Sequence, residues 1–308
     1  MDKRIAGASL SVLLRSLSDL LMPQVCAVCG RQLLACEEHL CLECLADLPY
    51  TRFEGLVHNP MADKFNALVE SPEYVRAAAL FYYKEGYRNI TKDLKYGRNF
   101  SLGRRFARIL GERMAEAGVP DCPASPPASC SASMACLASP PASFAAATGH
   151  LPLCWRDVTL VCPVPLHWTR RWRRGYNQAE VIGRELAVAL GAAFAPGLLR
   201  RTRRTRTQTR LSASGRLVNV SGAFNVSSRV QKSLCLHTNA VFLPSRVQIG
   251  QVLHTAPGVP GVQLTAPVIL LVDDVFTTGA TLAACYQALR QAFGDGVRIA
   301  IATLAFVD

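Results

Sequence analysis

No stretch of the 308-residue chain is apolar for long enough to cross a bilayer. Acidic residues are few: 22, against 34 lysines and arginines, giving a net charge of +12. That excess suits an anionic ligand, polyphosphate or nucleic acid, without choosing between them. The 12 cysteines lack the pattern of a disulfide framework. Four stand in two CxxC pairs near the start, and the others are scattered, several in an irregular stretch. This argues for metal binding in a reducing, cytoplasmic compartment. The opening MDKRIAGASLSVLLRSLSDLLMP has no clear signal-peptide cleavage site, and Arg15 and Asp19 interrupt its apolar residues. Its leucines, Leu10 to Leu21, recur at helical spacing and predict an amphipathic helix that ends at Pro23.

What is present is organised around Val268–Leu282, VILLVDDVFTTGATL. The run Val268 to Val272 reads as a buried parallel strand. The adjacent carboxylates Asp273 and Asp274 follow, then a hydroxyl-rich loop, then apolar residues at helical spacing through Leu282, Cys285 and Leu289. Backbone N–H groups at a helix start, joined by threonine hydroxyls, form an anion site. Gly279 lets the backbone approach a phosphate closely. The two carboxylates can accept hydrogen bonds from neighbouring ribose hydroxyls, or hold a magnesium ion through water.

Earlier in the chain, Cys26-Ala-Val-Cys29 and Cys41-Leu-Glu-Cys44 are separated by eleven residues. Each CxxC turn presents two thiolates, and the pairs together complete the four ligands of a structural zinc. Cys36 and His39 lie between them as less suitable substitutes. A knuckle this small cannot bury a core, so the metal would hold it together. Leu45–Asn66 reads as a connector and Val75–Tyr83 as a strand. Lys92–Arg108 is basic on one face and apolar at Leu102, Phe106, Ile109 and Leu110. It is either a solvated helix face or a source of cations, Lys95 among them, for the anion pocket.

Val158–Val164 predicts a second buried strand, running into Pro163-Val-Pro-Leu166 and then HWTRRWRRGYNQAE. Asn177 is placed as the N-cap of a helix, with Glu180 three residues on. Val181, Ile182, Leu186, Val188 and Leu190 form its expected apolar face. The arginines here, Arg173 and Arg174 in particular, suit phosphate or pyrophosphate. Trp168 and Trp172 among them also suit stacking of nucleic-acid bases. The run Arg200–Arg210 could be a hood that clamps pyrophosphate, a strip for a nucleic-acid backbone, or a solvated surface. Gln208, uncharged within it, could read a ligand. Val297–Ala305 supplies a last strand. The segments 119–151 and 227–266 lack periodicity and read as insertions.

VDDVFTTGAT resembles the signature by which type I phosphoribosyltransferases bind phosphoribosyl pyrophosphate (PRPP). The resemblance implies that Asp273 and Asp274 hold the ribose hydroxyls, and that Thr277, Thr278, Gly279, Ala280 and Thr281 cradle the 5-phosphate. Purine-salvage members carry an aspartate where this chain has Thr277, so a hypoxanthine-guanine enzyme is not indicated. PVPLHWTRRWRRGYNQAE, the block RRTRRTRTQTRLSASGRLVNVSGAF and the two CxxC pairs together resemble the ComF family of phosphoribosyltransferase-like competence proteins.

Strand and helix alternate, which implies an α/β domain with a mainly parallel sheet. With the resemblance, the expectation is a type I phosphoribosyltransferase-like sheet flanked by helices at 66–308, behind a zinc module at 1–60. Magnesium-bound PRPP would occupy Asp273, Asp274 and Thr277–Thr281, with Arg173, Arg174 and Lys95 on the pyrophosphate. The acceptor is not legible. The alternative is a protein that uses the same fold to bind single-stranded DNA alongside the competence machinery.

Overall fold

The computed structural model describes residues 24–97, 99–117, 153–202, 222–228, 267–294 and 296–308. The amino-terminal leucine-rich segment, residues 203–210 of the arginine run with Gln208, and nearly all of both expected insertions lie outside these. Among the described residues, five strands form one sheet: β1 (Ala77–Tyr82), β2 (Leu160–Pro163), β3 (Ala193–Phe194), β6 (Val268–Phe276) and β7 (Arg298–Phe306). Their order across the sheet is β1-β7-β6-β2-β3, and every neighbouring pair is parallel. The α/β class read from the sequence is therefore borne out. A separate antiparallel pair, β4 (Leu199–Arg201) with β5 (Phe224–Val226), stands beside it.

The sheet is covered on both faces, which is why β6 begins with five consecutive apolar residues instead of an alternation. Ile269 and Leu271 face one cluster, shared with Met61 and Phe65 of α2 (Pro60–Asn66) and with Leu282 and Leu289 of α7 (Ala280–Phe293). Leu270 and Val272 face the other, with Phe106 and Leu110 of α4 (Phe100–Glu116) and Ile182 and Leu186 of α6 (Gln178–Leu190). Period-2 alternation carries this through the acidic pair, so Asp273 and Asp274 leave the strand toward opposite faces.

Several expectations need adjustment. Leu45–Asn66 is more than a connector: Phe53, Met61 and Phe65 are buried in the core. Lys92–Arg108 is not one helix. Gly97 ends α3 (Arg88–Tyr96), and Asn99 caps α4 by accepting from the Leu102 N–H at 3.1 Å. On α6, Val188 is exposed and Ala187 takes the inward place. Val188 lies two residues beyond Leu186, which turns it about 200° away from that side chain.

Buried Arg76 fixes the chain where it returns toward β2. Its guanidinium lies over Trp155, 4.5 Å from the ring centre, and donates to the carbonyls of Leu153 (2.6 Å) and Glu54 (2.9 Å). The Trp155 indole donates to the same Glu54 carbonyl at 2.7 Å.

Candidate functional site

The cleft opens where β2 stops and β6 continues. Pro163 pairs with Val272, and the Val164 N–H makes the next bond, to the Val272 carbonyl at 2.8 Å. Pro165 then has no N–H to extend the ladder. Beyond that point, among the described residues, β6 pairs only with β7, through Asp273↔Thr303, Val275↔Ala305 and Phe276↔Phe306. The acidic pair thus sits at the carboxyl end of a central strand with one side open, where parallel sheets bind ligands. The resulting cleft, about 180 Å³, is lined by Lys95, Val164–Leu166, Arg174, Asn177, Gln178, Arg201 and residues 273–282.

Asp274 is buried and receives the Lys95 ammonium at 2.8 Å. Lys95 comes from the last turn of α3. Burial works against its charge, but Asp274 and then Asp273 outweigh that and hold its pKa above the ordinary value. Asp273 accepts from the Asp274 N–H at 2.9 Å. Burial, then the neighbouring Asp274 charge, pushes the Asp273 carboxyl up to about 7. Between pH ~4 and ~7 the folded protein therefore keeps a proton that the unfolded chain has released, so Asp273 lowers stability as pH rises through that window. Asp273→Asn is expected to melt higher than wild type at pH 8, by roughly a few degrees, and to lose most of that advantage at pH 4. Thermal melts at the two values check this.

Three residues, Thr277 to Gly279, turn the chain from β6 into α7. Gly279 is its N-cap, with φ of 73°, and offers no side chain to the first turn. A Cβ there would also lie 2.8 Å from Phe276 Cζ and 2.9 Å from Leu68 Cδ1. Glycine is thus required twice, by the left-handed backbone and by crowding. Gly279→Ala is expected to destabilise the protein by about 2 kcal/mol in denaturant melts and to displace the loop Thr277–Thr281.

The opposite wall is the start of α6 and the end of α5 (Trp168–Arg174). Asn177 joins the two walls: its side-chain N–H₂ donates to the Val164 carbonyl at 2.9 Å, and its oxygen caps α6 by accepting from Ala179 N–H at 3.3 Å. The N-cap expected there is present. Glu180, expected as its capping partner, instead pairs with Arg171 at 3.0 Å. Arg174 donates to Gln178 Oε1 at 3.0 Å and lies over the Tyr96 ring at 5.4 Å.

Of the residues read from sequence, Lys95, Arg174, Asp273, Asp274, Thr277, Thr278, Gly279, Ala280 and Thr281 share this cleft. Arg173 does not line it and is exposed. Arg173 and Arg174 are neighbours on a helix, so they point about 100° apart and only one can face inward. Arg201, which among the described residues of the arginine run lines the cleft, and Gln178 were not singled out. Arg201 follows from the run only once β4 is placed. Gln178 carries no charge, and nothing in the sequence sets it apart from its neighbours in RGYNQ.

The amino-terminal cysteines form a second, separate centre. The sulfurs of Cys26, Cys29, Cys41 and Cys44 all lie within 4.8 Å of one another. Cys29 and Cys41 are 3.8 Å apart, and a tetrahedron with Zn–S bonds of about 2.3 Å has edges of about 3.8 Å. The set fits a structural zinc. Burial opposes ionisation of Cys26, but backbone N–H groups of Cys29, Cys41 and Val28 outweigh it and bring its thiol down to about 6. Arg31 donates to the Cys41 sulfur at 3.6 Å and is itself held by Glu43. Cys36 is exposed and outside the cluster. The knuckle, which ends in the short helix α1 (Leu42–Ala46), rests on α3 and α4: Tyr87 Oη donates to the Cys44 carbonyl at 3.2 Å, and Arg105 to the Glu38 carbonyl at 2.9 Å.

Comparison with curated proteins gives two groups of relatives. The chain is 33% identical over 131 residues to Competence protein F of Haemophilus influenzae, a match covering 42% of this chain and 44% of that protein. It is also 32% identical over 159 residues to DNA utilization protein YhgH of Salmonella typhi, covering 52% and 53% of the two chains. For the Escherichia coli K12 protein of the same name the identity is 30% over 139 residues. The matches span about half the length of these relatives. The ComF resemblance drawn from the motifs is borne out by them. No protein-family model matches the chain. Among the described residues, no helix is long and apolar enough to cross a bilayer.

Proposed function

We propose that the cleft binds PRPP with magnesium, and that this ComF homologue is a phosphoribosyltransferase-like protein working in DNA uptake or utilization. One observation carries the reading: an acidic pair, a glycine-turned hydroxyl loop at a helix start, and the cations Lys95 and Arg174 share one cleft. Asp273 and Asp274 would accept from the ribose hydroxyls. Thr277–Thr281 and the first N–H groups of α7 would hold the 5-phosphate. Arg174 and Lys95 would take the pyrophosphate, with Lys95 leaving Asp274 as the ribose enters. Buried Arg174 Nε and Gln178 Nε2 have no hydrogen-bond partner among the described residues, which supports an acceptor-rich ligand on that wall.

Magnesium, when bound through the pyrophosphate and the acidic pair, would neutralise charge on the leaving group. The protein's own part is positioning and electrostatics. As an acceptor forms a bond to the anomeric carbon, the bond to pyrophosphate breaks, and Lys95 and Arg174 face the growing negative charge. No covalent protein nucleophile is required. We also read 1–60 as a zinc module on a cytoplasmic, thiol-rich protein, and 66–308 as the phosphoribosyl-binding domain. Calorimetry with the zinc-loaded chain is expected to show saturable Mg-PRPP binding and weaker binding of ribose 5-phosphate. No heat with either ligand would sink the reading.

A second reading, single-stranded DNA together with competence-machinery proteins, is supported by the relatives' names and by the net charge of +12. Two adjacent carboxylates would repel a DNA backbone inside the cleft, so a strand would have to lie elsewhere.

A further inference from the structure

Two tryptophans stand on the outside of α5. Trp168 is 71% exposed and Trp172 86%. They are four residues apart on one helix, so they project from the same side, about 6 Å apart along its axis. Neither lines the cleft, although Arg174 of the same helix does. Single exposed apolar residues are ordinary, but two large rings side by side in water mark a contact surface. Their surroundings are cationic. Arg173 is exposed, and Arg171 is 58% exposed with Glu180 as its partner. Arg174, two residues beyond Trp172, leaves the helix about 200° away from it, toward the cleft and over the exposed Tyr96 ring.

We infer that the outer face of α5 is a stacking platform for single-stranded nucleic acid, separate from the cleft, so that strand and phosphoribosyl ligand bind side by side. It rests on the DNA reading and does not depend on what fills the cleft. Flat aromatic faces accept any base, and arginines beside them neutralise the intervening phosphates. A helix of seven residues is too short to present the extended apolar face of a membrane-surface helix. The carboxylates that would repel a strand are inside the cleft, on the far side of Arg174.

The test uses the full, zinc-loaded chain and a labelled twenty-nucleotide oligothymidylate, read by anisotropy at low salt. Trp168→Ala/Trp172→Ala is expected to weaken oligonucleotide binding at least tenfold and to leave Mg-PRPP affinity within twofold. In wild type, the oligonucleotide should quench tryptophan fluorescence. The double variant, which keeps only buried Trp155, should show no quenching. Asp273→Asn/Asp274→Asn should bind the oligonucleotide as well as wild type or better. Oligonucleotide affinity unchanged in the tryptophan variant overturns the inference, as does wild-type binding to anionic phosphatidylserine vesicles without binding to the oligonucleotide. Wild type that binds the oligonucleotide in this tryptophan-dependent way but not PRPP sinks the phosphoribosyl reading and supports the platform.

Discussion

Replacing Asp273 and Asp274 together by asparagine is expected to weaken Mg-PRPP binding at least hundredfold while the protein stays folded. Each carboxylate would accept a hydrogen bond from a ribose hydroxyl, and charge-assisted bonds are worth roughly 1.5–3 kcal/mol each. Two such losses multiply to two or more powers of ten. The variant also leaves Lys95 without the Asp274 oxygen that now holds it at 2.8 Å. Lys95 keeps side-chain access to solvent at 26%, so its charge can be hydrated and the fold need not fail. Removing the raised carboxyl of Asp273, at about 7, works in the stabilising direction near neutral pH. Calorimetry with parallel thermal melts separates the two effects. Binding that survives in a folded variant would show that the acidic pair is not the ribose contact.

Cys26→Ser/Cys41→Ser is expected to abolish zinc retention, to unfold residues 24–47 locally, and to lower the thermal midpoint of the whole chain. Both cysteines are 2% exposed and pack in the same cluster as Phe81, Leu94 and Phe106. Without metal, the knuckle is too small to keep its own fold. The loss should travel to the cleft, because the knuckle lies against α3 and α4 through Tyr87 and Arg105, and α3 ends in Lys95. Mg-PRPP affinity should therefore fall by a moderate factor, about three- to tenfold, with no change at Asp273 or Thr277–Thr281. Zinc content by a metallochromic dye, with calorimetry on the same sample, reads both consequences. A variant without zinc but with wild-type melting would show that the cysteine cluster does not hold the fold.

The central strand, the acidic pair and the loop after it were legible because each local signal agreed with the next. β-Branched and aliphatic residues gave the strand, Gly279 the turn, and Leu282, Cys285 and Leu289 the helix face. The CxxC pairs were legible because ligand spacing is nearly independent of the surrounding fold. What sequence could not give was the choice among neighbours. Arg173 and Arg174 have the same chemistry, and only the helix they end decides that Arg174 faces the cleft. Val188 looked apolar enough for the α6 core, yet Ala187 takes that place because of helix phase. The buried Arg76 and its place over Trp155 depend on residues far apart in the chain, which periodicity does not register. The role of β2 in opening the cleft was half visible: Pro163 and Pro165 stand in the sequence, but that among the described residues Asp273–Phe276 has no strand partner on that side needed the strand order.

The most direct measurement is a crystal structure of the zinc-loaded protein with Mg-PRPP. The account predicts a phosphate at the start of α7 against Thr277–Thr281, ribose hydroxyls on Asp273 and Asp274, and a diphosphate beside Arg174 with Lys95 turned away from Asp274. A cleft that stays empty at saturating PRPP, with the Lys95–Asp274 pair intact, would contradict it.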